Sequence, residues 1–145
     1  MHKRVGQNRR KLIVCASLMS KIYIFLECGG ILEGDYGFIT SPNWPNVYNG
    51  DLYCRWKFTS SKTVEILDMN IGAEENPCKG DYLRVDSSRY CGTSGKDKVF
   101  RSTDVLRFLS KGSNIGSHNG FILIWHSIDD DIPYSKFELS LKSLN

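Results

Sequence analysis

The residues best equipped for chemistry are five cysteines and three histidines in a chain of 145 residues. Cys78 and Cys91 bracket Lys79-Gly80-Asp81-Tyr82-Leu83-Arg84-Val85-Asp86 and a polar run, Ser87-Ser88-Arg89, that leads into Tyr90. Leu83 and Val85 share one face while Tyr82, Arg84 and Asp86 share the other, the period of a half-buried strand. Asp86 to Arg89 is turn chemistry. A strand that leaves Cys78 and doubles back to Cys91 brings the two sulfurs together, so a local disulfide is the economical reading; in a reducing compartment the same pair would be buried thiols. With Cys15 set aside as part of an N-terminal leader, four cysteines remain. They allow three pairings, and the local bridge leaves Cys28 with Cys54.

Catalytic groupings are absent from the sequence. It contains no His-Glu-x-x-His, no Gly-x-Ser-x-Gly and no glycine-rich phosphate loop. His2 lies in the leader, His118 in a polar loop and His126 at a strand end; a triad of Ser127, His126 and Asp129 is disfavoured because neighbours on a strand face opposite ways. With every mature cysteine assigned to a bridge, no thiol nucleophile is left.

The elements that position these residues are short strands. Cys28-Gly29-Gly30 opens the folded part, the glycines suiting a tight turn or a close backbone approach. Gly37 to Thr40 runs into a loop broken by Pro42 and Pro45. Leu52, Cys54, Trp56 and Phe58 alternate with Tyr53, Arg55 and Lys57, which points Cys54 inward. Thr63 to Met69 changes phase after Ile66, predicting a bulge or burial on both sides. Asn70 to Pro77 reads as a loop, Val99 to Ser102 as a short strand, and Asp104 to Leu109 as a strand with Leu106 and Phe108 inward. Gly120 to His126 is apolar on both faces, as in the middle of a sheet. No helical period occurs outside the leader. The expected fold is an all-β sandwich in one domain. Residues 128–145 form an acidic extension or an extra edge strand, with Phe137, Leu139 and Leu141 alternating.

Charge is unevenly placed. Six of the 19 basic residues and one of the 16 acidic ones precede Cys28, leaving 13 against 15 in the folded part. The basic excess belongs to the leader, no basic cluster is visible along the rest, and the composition gives no case for nucleic-acid binding. Residues 1–26, a basic start followed by apolar runs at Leu12 to Met19 and Ile22 to Leu26, have the layout of a secretory signal peptide. Retention as a signal anchor is the alternative, and the one route to a membrane association. Secretion and the bridges imply each other.

The order of motifs resembles the CUB domain family: Cys28-Gly29-Gly30, then Ile39-Thr40-Ser41-Pro42-Asn43-Trp44-Pro45 with Tyr48, then Cys54-Arg55-Trp56. It continues with Cys78-x-x-Asp81-Tyr82-Leu83, Tyr90-Cys91-Gly92 and Gly120-Phe121. The resemblance covers residues 28–127 and implies an extracellular antiparallel β-sandwich of jelly-roll type bridged Cys28 to Cys54 and Cys78 to Cys91, acting as a non-enzymatic unit that binds proteins or glycans. Alternatives under the same resemblance are a spermadhesin-like glycan binder, or a relative of a multidomain CUB-containing protease. Many members hold calcium at one end of the sandwich. Of that site's residues, Tyr48 and Asp81 match; Asn70 is the candidate for a first acidic ligand, with Glu74 as a rival. A loop aspartate aligns instead with Lys111, followed by Ser113. An ammonium in place of a carboxylate removes a ligand and adds a positive charge, so no calcium is expected. Lys111 is expected either to pair with Asp81 in the cation's place or to be a solvated loop residue.

Overall fold

The structure, a computed structural model, describes residues 9–13, 21–25, 28–112 and 117–128, with side chains from Cys28 onward. In the segment before Cys28, Arg9–Ile13 (β1) and Lys21–Phe25 (β2) pair antiparallel. The rest of that segment, expected to be a leader and carrying Cys15, and the expected tail from residue 129 lie outside the described residues.

The folded part consists of β3 (Gly30–Leu32), β4 (Tyr36–Thr40), β5 (Asp51–Asn70), β6 (Tyr82–Val85), β7 (Ser88–Tyr90), β8 (Val99–Lys111) and β9 (Gly120–Ser127), and no helix occurs among the described residues. The spine is β5. Its first half, Asp51 to Lys57, pairs with Val105 to Lys111 of β8, and its second, Lys62 to Asn70, pairs with β9. Register shifts between Lys57 and Lys62, and again between Lys62 and Val64, break the ladder where the two halves part. One hydrogen-bonded sheet thereby doubles over into two layers. The first holds β4, β9 and the second half of β5, joined by Val99 to Thr103 of β8; the other holds β3, the first half of β5, Val105 to Lys111 of β8, β6 and β7.

Aromatic rings join the layers. Trp56 meets Phe121 at 6.0 Å, Phe58 meets Trp125 at 5.3 Å, and Phe108 meets Phe121 at 5.4 Å between ring centroids. Alternation supplies these rings: Cys54, Trp56 and Phe58 are buried while Tyr53, Arg55 and Lys57 are exposed. The all-β sandwich is therefore the observed architecture. Pairing is antiparallel throughout except that β3 runs parallel to β5 and β2 parallel to β4.

Three local expectations are corrected. The strands expected at 52–58 and 63–69 are one continuous strand, because the break in register needs no turn residue. Val99 to Ser102 is likewise the start of β8. The turn expected over Asp86 to Arg89 closes at Ser87: Asp86, at φ 49°, takes a left-handed conformation that a short polar side chain tolerates, and Ser88 to Tyr90 return as β7. The phase change after Ile66 is a bulge, a register shift between Ile66 and Asp68 against β9 that lets Val64, Ile66 and Met69 all be buried.

Candidate functional site

Asp81 is 5% exposed although it carries a carboxylate. Burial of a charge this complete requires hydrogen bonds, and two donors supply them. Tyr48 Oη donates to Oδ2 at 2.7 Å, and the backbone N–H of Lys111 donates to Oδ1 at 2.9 Å. Three segments distant in sequence, the loop after β4, the loop before β6 and the end of β8, thus meet on one side chain at one end of the sandwich.

Each partner is placed by its own element. Ser41 brackets the first residues of β9, its N–H donating to the Phe121 carbonyl at 3.1 Å and its Oγ accepting from the Phe121 N–H at 3.0 Å. The proline-broken loop then closes on itself through Asn43 Nδ2 to the Val47 carbonyl at 2.7 Å. Tyr48, fully buried, packs edge-on to Phe108 at 5.1 Å, which aims its hydroxyl at Asp81. Burial foremost, then the hydrogen bond to Asp81 and its negative charge, push the Tyr48 phenol far above its ordinary pKa; a hydrogen bond to the Gly72 backbone works in the opposite direction.

Tyr48, Asp81 and Lys111 therefore come together, but Lys111 contributes differently from the expectation. It binds Asp81 through its backbone, while its Nζ donates to the Lys79 carbonyl at 2.8 Å. The expected ammonium–carboxylate pair is replaced by a side chain that straps β8 to the loop before β6; nor is Lys111 simply solvated. Asn70 is turned to His118, with Oδ1 and Nδ1 2.9 Å apart. Glu74 is exposed, accepts from Thr93 Oγ1 at 3.4 Å and borders a cleft with Arg89 and Lys98 on the β7 side. Neither belongs to the Asp81 cluster, and Ser113 lies outside the described residues.

A hard dication takes six to eight oxygens with ample negative charge. Among the described residues one carboxylate, Asp81, is seen in this cluster, and each of its oxygens accepts an N–H or O–H donor. Among the described residues no group of three or more histidine, cysteine, aspartate or glutamate side chains converges. Gly72 and the Lys79 carbonyl were not foreseen as parts of the cluster; backbone groups leave no mark in a motif.

The bridges form as expected. Cys28 joins Cys54 with Cα atoms 4.5 Å apart, and Cys78 joins Cys91 at 5.9 Å. The first is accommodated by Gly29, at φ 107°, where a Cβ would lie 2.6 Å from the Arg55 carbonyl oxygen. Around the second, Tyr82 and Leu109 complete a small separate apolar cluster. No hydrolase triad assembles from Ser127 and His126: the imidazole Nδ1 lies 3.0 Å from the Ser127 carbonyl, while Ser127 Oγ accepts from Lys62 Nζ at 3.2 Å. Four aromatic residues flank the first loops: Tyr48 is core, Tyr36 and Trp44 are half-buried, and Tyr53 is 62% exposed.

A doubled-over sheet, without helix among the described residues, with two bridges between successive cysteines and a loop end gathered on one buried aspartate defines a disulfide-clamped β-sandwich. The family model described as the CUB domain matches residues 28–125, and the chain belongs to that family. Cubilin of Rattus norvegicus is 31% identical over 115 residues, covering 71% of this chain and 3% of that protein. Procollagen C-endopeptidase enhancer 2 of Homo sapiens is 30% identical over 115 residues, 70% of this chain and 27% of that protein. The chain thus spans a small part of the length of the relatives it matches. Among solved structures, the CUB1-EGF-CUB2 domains of rat MASP-1 share the fold with a TM-score of 0.60 and 23% identity, over 74% of this chain and 45% of that one.

Proposed function

We propose that this chain is an extracellular binding module without catalytic activity that recognises protein or glycan partners and holds no calcium at its loop end. The observation that carries the reading is the buried Asp81. Each of its oxygens accepts one hydrogen bond, from Tyr48 and from the Lys111 backbone, and no second carboxylate is seen to join it among the described residues, so the loops are tied by the protein's own donors where a metal-organised member would use an ion. Family membership and the two bridges support an oxidising compartment.

A second reading places the same module inside a larger extracellular assembly, as a positioning unit of a protease or of a receptor. The length of relatives such as bone morphogenetic protein 1 of Xenopus laevis, 35% identical over 100 residues that make up 14% of it, favours this. Intact mass and amino-terminal sequencing of the protein released from cells, oxidised and reduced, test export and bridging together. Free thiols at Cys28, Cys54, Cys78 or Cys91 in the released product would refute the extracellular reading. Calorimetry against millimolar calcium tests the loop end: no saturable heat is expected, and binding abolished by Asp81→Ala would overturn the proposal.

A further inference from the structure

Strand pairing puts four arginines in one rank. Arg55 of β5 is the register partner of Arg107 of β8, Arg107 of Arg84 of β6, and Arg84 of Arg89 of β7. Their chain neighbours Cys54, Trp56, Leu83, Val85, Leu106 and Phe108 are buried, so alternation turns Arg55, Arg84 and Arg107 onto the outer face. Arg89 joins them there, its guanidinium 4.3 Å above the ring of Tyr82. At the usual separation of about 4.8 Å between strands, the rank is about 14 Å long.

Such an arrangement works against folding. Like charges directly opposite on a sheet are destabilising, and among the described residues the one ion pair is Lys96 with Asp68, elsewhere on the molecule. The internal contacts of the rank orient it without neutralising it. Arg84 Nε donates to the Asp86 carbonyl at 2.9 Å and Arg89 Nη1 to the Cys78 carbonyl at 3.4 Å. A guanidinium has five N–H donors, so most remain for something outside.

The chemistry of that something follows from the shape. The rank lies across a sheet face, which suits an extended polymer with repeated anions. Tyr53, 62% exposed and two residues from Arg55 on the same face, offers an aromatic plate beside the charges, and Lys57 adds a cation on the other side. We propose that the face carrying Arg55, Arg107, Arg84 and Arg89 binds a sulfated polysaccharide laid across the strands. Forked guanidiniums suit sulfate oxygens as they suit phosphate and carboxylate, and a sugar ring can pack on Tyr53. The sequence counted against such a ligand because no basic cluster is visible in it; the cluster exists only once four strands are paired. This proposal rests on the extracellular reading solely for the choice of polyanion.

The probe is heparin, immobilised and eluted with salt, using the full oxidised chain. Wild-type protein is expected to be retained at about 0.15 M salt, where exposed charges are screened beyond about 8 Å. Arg55→Gln with Arg107→Gln is expected to weaken binding roughly twenty-five-fold, about fivefold per charge, without lowering the melting temperature. Lys96→Gln with Arg101→Gln, the same loss of charge at exposed positions away from the rank, is expected to change affinity less than about twofold on the same scale. The assignment is overturned if wild type is not retained, if the arginine double variant binds like wild type because leader residues carry the contact, or if both double variants weaken equally. Poly-glutamate displacing the protein as readily as heparin would transfer the face to acidic polypeptides and overturn it as well. Failure here, with export and both bridges seen by mass, would refute this face and leave the proposed module intact.

Discussion

Replacing Asp81 by alanine removes the one acceptor on which Tyr48 and Lys111 converge. The Tyr48 hydroxyl is fully buried and the Lys111 N–H is partly so, and neither gains a new partner from a methyl group. An orphaned buried donor costs about 1–3 kcal/mol, so Asp81→Ala is expected to lose about 2–5 kcal/mol. Tyr48→Phe deletes one donor and leaves the carboxylate its second, at a cost of about 1.5–3 kcal/mol for a hydrogen bond to a charged group. Lys111→Ala keeps the backbone N–H and loses just the exposed bond from Nζ to the Lys79 carbonyl, so it is expected to fall within about 0.5 kcal/mol of wild type. Urea unfolding with the disulfides intact measures all three, and a cycle of Asp81→Ala with Tyr48→Phe is expected to show coupling of about 1–2 kcal/mol. Should Lys111→Ala cost as much as Asp81→Ala, the ammonium rather than the backbone holds the aspartate and the reasoning fails. A cost below about 1 kcal/mol for Asp81→Ala would show that the tie carries no weight.

Alkaline stability should depend on Tyr48. Its phenol is held above the ordinary value of about 10 in the folded state, so the folded protein keeps a proton that the unfolded chain releases. The resulting stability is complete below about pH 10 and falls as pH rises above it; unfolding midpoints from neutral to alkaline pH should show a drop that Tyr48→Phe flattens, and parallel drops would refute the link. Replacing both members of a bridge with alanine is expected to cost about 3.5 kcal/mol for Cys28 with Cys54 and about 3 kcal/mol for Cys78 with Cys91, since the longer loop, 26 residues against 13, loses more closure entropy; denaturant unfolding checks the order. Gly29→Ala is expected to destabilise by about 1–3 kcal/mol, because its Cβ would press on the Arg55 carbonyl at 2.6 Å and its φ of 107° disfavours a side chain. An unchanged melting temperature would refute that close approach.

Much of the fold was legible along the chain because its signals are local. Alternation at Leu52 to Phe58 and at Leu106 to Phe108 assigned the inward rings, the apolar run from Phe121 to Trp125 announced a central strand, and the slip of phase after Ile66 marked a bulge. Each requires only the two-residue period of a strand. Continuity was less legible: β5 and β8 run through segments read as breaks, since a sheet can double over by shifting register without any glycine or proline to announce it. At the candidate site, residue types pointed to Tyr48, Asp81 and Lys111, yet the role of Lys111 was misjudged because the group it offers Asp81 is a backbone N–H that every residue but proline carries.

Bridging partners and inward faces are therefore properties of this sequence alone, carried by residue type and short spacing. Which outward residues stand together is different. Arg55, Arg84, Arg89 and Arg107 are spread over more than fifty positions and mean little one by one; a one-residue slip between any two strands would turn one set of side chains to the opposite face and dissolve the rank. Register decides it, and register is set by the whole core packing at once.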